Sequence, residues 1–83
     1  MSALDQTQEY SSAPDDSAVR RMVAMVRGAL NEKGYDPVNQ IVGYLISGDP
    51  TYITSHNDAR GQITRLQRDE IIEFLLRQYF SKT

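Results

Sequence analysis

The side chains best suited to acid–base or metal chemistry lie in one polar part of the sequence. Asp49 is followed at a short distance by His56, Asn57 and Asp58. A catalytic or metal site needs several such groups to converge, and the sequence has a single histidine and no cysteine. Asn and Asp are also preferred caps at the start of helices. We therefore interpret this part as a polar turn and assign no catalytic, cofactor-binding or metal-ligating residue.

Two other functions stay open as alternatives. A nucleic-acid-binding helical module would need a basic surface, and Arg60, Arg65 and Arg68 are close enough in sequence to form a modest basic strip. The net charge of -2 and the isoelectric point near 5.2 disfavour nucleic acid as a partner. A small enzyme would need further polar groups around His56. The residues of such a site would be Tyr35, Asn39, Asp49 and His56.

The N-terminal segment carries the best candidate for covalent modification. Residues 1–16 contain four acidic side chains and no Lys or Arg, and their few large apolar residues follow no period. Such a segment cannot bury enough apolar surface to offset the entropy of ordering its backbone. We expect a flexible acidic tail over residues 1–16. A kinase must thread a flexible chain through its cleft, so Thr7 in this tail is a suitable phosphoacceptor. Ser2, Ser11 and Ser12 are equally accessible.

From position 17 onward, apolar residues recur at helical spacing. The pattern predicts a first helix that starts near Ser17, with Asp16 as the other potential cap, and stops at Gly34. A second predicted helix begins at Pro37 behind the cap Asp36 and stops at residues 47–48. The residues expected to be buried are Val19, Met22, Val23, Val26 and Leu30 in the first helix, and Val38, Ile41, Val42, Leu45 and Ile46 in the second.

The C-terminal third predicts a helix over about residues 58–66 and a last helix capped by Asp69, although periodicity alone does not decide whether residues 58–80 are one helix or two. Phe74 lies opposite the main apolar stripe of the last helix, and an exposed aromatic of this kind is often an interface anchor. We therefore place Phe74 with the three arginines in a candidate interaction surface. The predicted buried stripe is Ile71, Ile72, Leu75, Leu76, Tyr79 and Phe80.

The fold class predicted is all-α: a compact bundle of about four short helices in a single domain, residues 17–83. The apolar face of the first helix is wider than one neighbour normally covers, and a two-fold interface is the commonest assembly, so we expect a homodimer. No apolar run approaches the roughly 20 residues that span a bilayer, and the N-terminus has no signal-peptide pattern. We therefore expect a cytoplasmic protein.

Several long stretches of the sequence closely resemble the IreB family of small regulatory phosphoproteins. The resemblance covers the predicted domain nearly end to end, and the tail motif Asp5-Gln6-Thr7 agrees with it. The matching stretches are EKGYDPVNQIVGYL (32–45), SGDP (47–50), HNDAR (56–60) and RDEII (68–72).

The resemblance implies a cytoplasmic, helical, homodimeric protein of Gram-positive bacteria that is not an enzyme and needs no cofactor. It implies phosphorylation of a tail threonine by a transmembrane Ser/Thr kinase with extracellular PASTA domains, reversal by a cognate phosphatase, and a part in cell-envelope homeostasis. The phosphoacceptor that carries over is Thr7. A second threonine of the family falls at Leu4 of this chain, so the resemblance carries no second phosphoacceptor over.

Overall fold

The computed structural model describes residues 5–10 and 15–82. These residues form four α-helices and no strand, which confirms the all-α prediction. Two single 3-10 turns connect the second helix to the third. The helices are α1 (Asp16–Glu32), α2 (Pro37–Ser47), α3 (Ala59–Thr64) and α4 (Arg68–Phe80), and the 3-10 turns are Pro50–Tyr52 and His56–Asp58.

Helix α1 is the centre of the fold and packs against the other three helices. Its N-cap is Asp15, whose carboxylate accepts hydrogen bonds from the N–H groups of Ser17 and Ala18. The predicted caps, Asp16 and Ser17, are therefore wrong by one or two positions. The apolar face is as predicted, with Val23 partly buried at its edge. The buried residues of α1 are Val19, Met22, Val26, Ala29 and Leu30.

Helix α2 has the predicted bounds, but its buried face agrees with the prediction only at Ile41 and Leu45, which pack against the core. Asp36 caps its start and Gly48 ends it in the left-handed conformation, with φ of 74°. The helix is rolled so that Tyr44 is buried, whereas Val38 and Ile46 are 68% and 79% exposed. An apolar stripe on a short helix specifies a preferred side but not whether this chain or another covers it. The prediction that Val38, Val42 and Ile46 are buried in this chain is wrong.

Residues 59–80 form two separate helices, which settles the question that periodicity left open. Helix α4 begins one residue before the predicted cap Asp69. The residue before the helix is Gln67, and its N–H donates to the carboxylate of Glu70 at 3.0 Å. Such a contact from the first turn back to the cap satisfies one of the free N–H groups at a helix start.

Phe74 is buried, and its predicted exposure is wrong. Its side chain is 4% exposed, and the guanidinium carbon of Arg20 lies 5.4 Å from the ring centre. Helix α4 faces the core with Ile71 and Phe74, so the other apolar stripe points outward. Both stripes have helical spacing, and only packing against α1 decides between them. The predicted core residues of α4 that are exposed are Ile72, Leu76, Tyr79 and Phe80.

The core joins α1 to one residue or more from each following element. Leu30, Ile53, Ile63 and Ile71 are fully buried in it. Ile53 comes directly after the first 3-10 turn, so its burial fixes the connection between α2 and α3. Within the part of the chain that is described, no helix is long and apolar enough to span a membrane.

Candidate functional site

Thr7 lies in a short turn that is closed by Asp5. Residues 5–10 have no regular secondary structure and are exposed. The N–H of Thr7 donates to Oδ1 of Asp5 at 3.0 Å, and the Thr7 hydroxyl donates to the same oxygen. The hydroxyl of Thr7 and, after it, the Thr7 N–H hold the pKa of Asp5 below its usual value, because both bonds favour the charged carboxylate.

The same turn occurs a second time, inside the helical domain. Oδ1 of Asp49 accepts from the N–H of Thr51 at 3.0 Å and from the Thr51 hydroxyl at 2.7 Å. These two bonds, the backbone one first, lower the pKa of Asp49. The intervening residue is Gln6 in the first turn and Pro50 in the second. The two sites thus share one Asp-X-Thr geometry in two different surroundings.

The second turn is held by its neighbours. The side-chain amide of Gln40 in α2 donates to the carbonyl of Tyr52 at 2.9 Å. The ring of Tyr52 lies against Gly43, where a Cβ would come within 2.6 Å of the ring. Ile53 then anchors the turn in the core. These contacts fix Thr51 in place, although its side chain is exposed.

The three arginines of the predicted basic strip each have a different partner within the fold. Nε of Arg60 donates to the carbonyl of Ile53 at 2.8 Å, which holds the connection before α3. Nη1 of Arg68 donates to the carbonyl of Leu45 near the end of α2, at 3.1 Å. Arg60 and Arg68 therefore donate hydrogen bonds to backbone carbonyls at the ends of helices and turns, where the backbone itself provides few donors.

Arg65 makes the longest of the three contacts. Its nearest carboxylate oxygen is Oδ2 of Asp58, at 3.9 Å, and both side chains are more than half exposed. An ion pair of this length at the surface contributes little to stability. Of the predicted strip, Arg65 therefore has the guanidinium that is least engaged within the fold.

His56 links the end of α1 to the start of α3. Its Nε2 lies 2.8 Å from Oε1 of Glu32 and 3.2 Å from the side-chain amide of Asn57. None of its described hydrogen bonds reaches Tyr35, Asn39 or Asp49, the other members of the alternative enzyme site. Among the described residues no three His, Asp or Glu side chains are grouped so as to hold a metal ion.

The polar turn around His56 differs in detail from the prediction. Asn57 and Asp58 both have positive φ, 54° and 61°, a conformation that Asn and Asp tolerate better than most residues. Asp58 precedes α3 but makes no capping hydrogen bond, and its carboxylate instead accepts from the side chain of Gln62 at 3.1 Å. The prediction of a polar turn is confirmed, and the side-chain cap by Asp58 is wrong.

An apolar groove of about 490 Å³ runs between α1 and α2. The outward stripes of α2 and α4 expose further large apolar side chains. Sequence reasoning expected an uncovered apolar face on α1 but missed the α2 side of the groove, because it assigned Val38 and Val42 to the core. The groove is lined by Met22, Val23, Val26, Arg27, Asn31, Pro37, Val38, Ile41, Val42, Leu45, Ile63, Ile71 and Leu75.

Sequence reasoning also missed the part that Asp5 plays beside Thr7. The signal was present, because the pattern Asp-X-Thr occurs at residues 5–7 and again at residues 49–51. Asp and Thr two residues apart favour a side-chain-to-backbone turn.

Comparison with known families adds one finding. A family model described as IreB regulatory phosphoprotein matches residues 5–81. The match includes both Asp-X-Thr turns and all four helices, whereas Leu4 lies before it and outside the described residues.

Proposed function

The chain belongs to the IreB family of regulatory phosphoproteins, and on that premise we propose that Thr7 is its phosphoacceptor. The modifying enzyme in this proposal is a transmembrane Ser/Thr kinase with extracellular PASTA domains, opposed by a cognate phosphatase. The protein then acts in the cytoplasm, through contacts with other proteins, in cell-envelope homeostasis. Leu4 provides no second hydroxyl, so the proposal has one phosphorylation site.

One observation carries the choice of Thr7. It is exposed, it lies before α1, and no described contact ties residues 5–10 to the helical domain. A kinase can therefore bind this segment in an extended form without unfolding the helices. Thr51 has the same local geometry, but Gln40, Gly43 and Ile53 hold its turn in the fold.

The experiment is a phosphorylation assay with the kinase domain and labelled ATP, followed by mass-spectrometric assignment of the site. We expect one phosphate per chain, at Thr7, and no incorporation into Thr7→Ala. Thr51→Ala is the matched control because it removes a threonine from an equal turn, and it should be labelled like the parent chain. Equal labelling of Thr7→Ala and the parent chain would disprove the assignment.

We also propose that two copies of the chain associate through the apolar groove. The molecule provides both a concave apolar surface between α1 and α2 and protruding apolar side chains such as Ile46, which is 79% exposed. A two-fold pair can place the protruding residues of each copy on the concave surface of the other. The wide apolar face of α1, part of which lines the groove, is then covered as well.

Val42→Glu tests the pair. Val42 lines the groove and is about half exposed, so a carboxylate there is tolerated in a single chain but not in a dry interface. In sedimentation velocity we expect the parent chain to be a dimer and this variant a monomer with an unchanged circular dichroism spectrum. Arg21→Glu, on an exposed part of α1 outside the groove, should stay dimeric. A monomeric parent chain at tens of micromolar would refute the proposal.

In this proposal the N-terminal segment is phosphorylated, and the helical domain provides the surface that contacts other proteins. Phosphorylation adds close to two negative charges and several strong acceptor oxygens to the N-terminal segment. The residues of the same chain that are candidates to bind the phosphorylated segment are Arg60, Arg65 and Arg68. Arg65 is favoured among them, since its guanidinium is the least engaged. Unchanged amide chemical shifts at Arg65 after phosphorylation would show that Arg65 does not bind the phosphorylated segment. A separate protein would then be the one that binds it.

A further inference from the structure

The turn at residues 5–7 has a consequence for the phosphorylation step itself. Its two hydrogen bonds converge on one oxygen, Oδ1 of Asp5, and both donors belong to Thr7. One of those donors is the hydroxyl that would receive the phosphoryl group. Asp5 and the phosphoacceptor therefore cannot be treated as independent parts of the segment.

Phosphorylation changes both sides of this contact. Transfer from ATP forms a bond between Oγ1 of Thr7 and phosphorus, releases ADP, and gives the hydroxyl proton to the base of the kinase. The donor to Asp5 is then gone. In its place stands a negatively charged group with strong acceptor oxygens, which repels the carboxylate and competes with it for the Thr7 N–H.

We propose that Asp5 is the positioning residue of the phosphoacceptor segment, and that phosphorylation of Thr7 opens the Asp5–Thr7 turn. The unphosphorylated chain presents a closed turn in which Asp5 is occupied by Thr7. The phosphorylated chain presents an open segment in which the Asp5 carboxylate and the phosphate both face solvent or a basic partner. This inference rests on the proposed role of Thr7 as phosphoacceptor. The Asp5–Thr7 turn is seen in the structure whether or not Thr7 has that role.

The turn at Asp49 is a built-in reference for this inference. It has the same two bonds from Thr51, at 3.0 and 2.7 Å, and it is fixed in the domain by Gln40 and Ile53. A treatment that acts on Thr7 alone should leave Asp49 as it was. Any change common to both carboxylates would report on the conditions rather than on the phosphate.

The experiment follows the side-chain carboxyl carbons of Asp5 and Asp49 by NMR through an acid titration of the full chain. Three forms are compared: the parent chain, Thr7→Val, and a semisynthetic chain with phosphothreonine at position 7. Semisynthesis makes the test independent of any kinase, so that failure to label Thr7 enzymatically and failure of the turn are separate results.

We expect the midpoint of Asp5 to be lowest in the parent chain. It should move up in Thr7→Val, which keeps the N–H but lacks the hydroxyl donor, and it should also move up in the phosphorylated chain. The Thr7 amide signal should shift in the phosphorylated chain, and Asp49 should titrate identically in all three forms. An Asp5 midpoint that is the same in Thr7→Val as in the parent chain would show that there is no hydroxyl contact. An Asp5 midpoint and a Thr7 amide that phosphorylation leaves unchanged would show that the turn does not open.

Discussion

The two Asp-X-Thr turns have the same hydrogen bonds and opposite surroundings. At residues 5–7 the turn lies on an exposed segment before α1, and at residues 49–51 it opens a 3-10 turn packed on α2. Asp5 and Asp49 are both exposed, and the pKa of each is lowered by its threonine. The local chemistry is therefore not what separates Thr7, the proposed phosphoacceptor, from Thr51. The separation comes from the residues that follow, above all Ile53, which is fully buried.

Limited proteolysis should give the largest contrast between the two regions. Tyr10 and Tyr52 are both chymotrypsin sites and are 66% and 41% exposed, so their exposure alone differs little. Cleavage after Tyr52 requires the turn to open, and each roughly 1.4 kcal/mol of opening free energy lowers the cleavable population about tenfold. We expect cleavage after Tyr10 to be at least about tenfold faster, as measured by mass spectrometry over time. Equal rates would show that the second turn opens as readily as the N-terminal segment does.

Packing around the second turn should be sensitive to one added methyl group. In Gly43→Ala the new Cβ would lie 2.6 Å from the Tyr52 ring, so the turn must shift. We expect a loss of about 1–2 kcal/mol in the free energy of unfolding, since overpacking outweighs the better helix propensity of alanine. Gly28→Ala is the control, because no atom beyond its chain neighbours and the backbone of its own helix lies within 4 Å of the added Cβ, and it should gain up to about 1 kcal/mol. Urea denaturation measures both.

The two aspartates should differ in what they contribute to the fold. Asp49→Ala leaves the N–H and hydroxyl of Thr51 without their acceptor at the start of a 3-10 turn, so we expect a lower urea midpoint. Asp5→Ala removes an equal pair of bonds from a segment outside the helices and should leave the midpoint unchanged. If both variants lose stability equally, the N-terminal segment is part of the cooperative unit and the contrast is wrong.

The smallest expected effect is on the pH dependence of stability. The pKa of Asp49 is lowered in the folded chain from its ordinary 3.8, so the folded state binds the proton less readily than the unfolded state does. The stability it contributes is complete above that ordinary value and is lost as the pH falls below it. The difference in urea midpoint between the parent chain and Asp49→Asn should therefore shrink below about pH 3.8. The same difference for Asp5→Asn should be near zero at every pH, because the Asp5–Thr7 turn lies outside the helices and does not depend on their folding.

The sequence was sufficient for the helices and insufficient for their rotation. The cap Asp36, Pro37 and the left-handed Gly48 define α2 through local rules, and the observed bounds agree with them. In α4, Phe74 and Phe80 both stand on stripes with helical spacing, and the sequence favoured the wrong one. Which stripe is buried depends on the shape of α1, to which Phe74 adds a contact with Arg20. That information is tertiary and is not contained in the period of one helix.

The candidate site shows the same limit. Thr7 could be selected from the sequence because composition and the family resemblance both point to the N-terminal segment. The hydrogen bonds from Arg60 and Arg68 to the carbonyls of Ile53 and Leu45 could not be predicted from the sequence. They depend on where the folded chain places these two carbonyls. A spacing of arginines along the chain predicts a shared surface only when their side chains have no nearer acceptor.

The outward apolar stripes bear on what a signal at the N-terminal segment can accomplish. Ile46 and Tyr79 are 79% and 65% exposed in the single chain. A second copy of the chain, or another protein, can contact them without any rearrangement of the helices. A negative charge added at Thr7 can repel or recruit a protein that binds these apolar stripes. It does not have to create the stripes themselves.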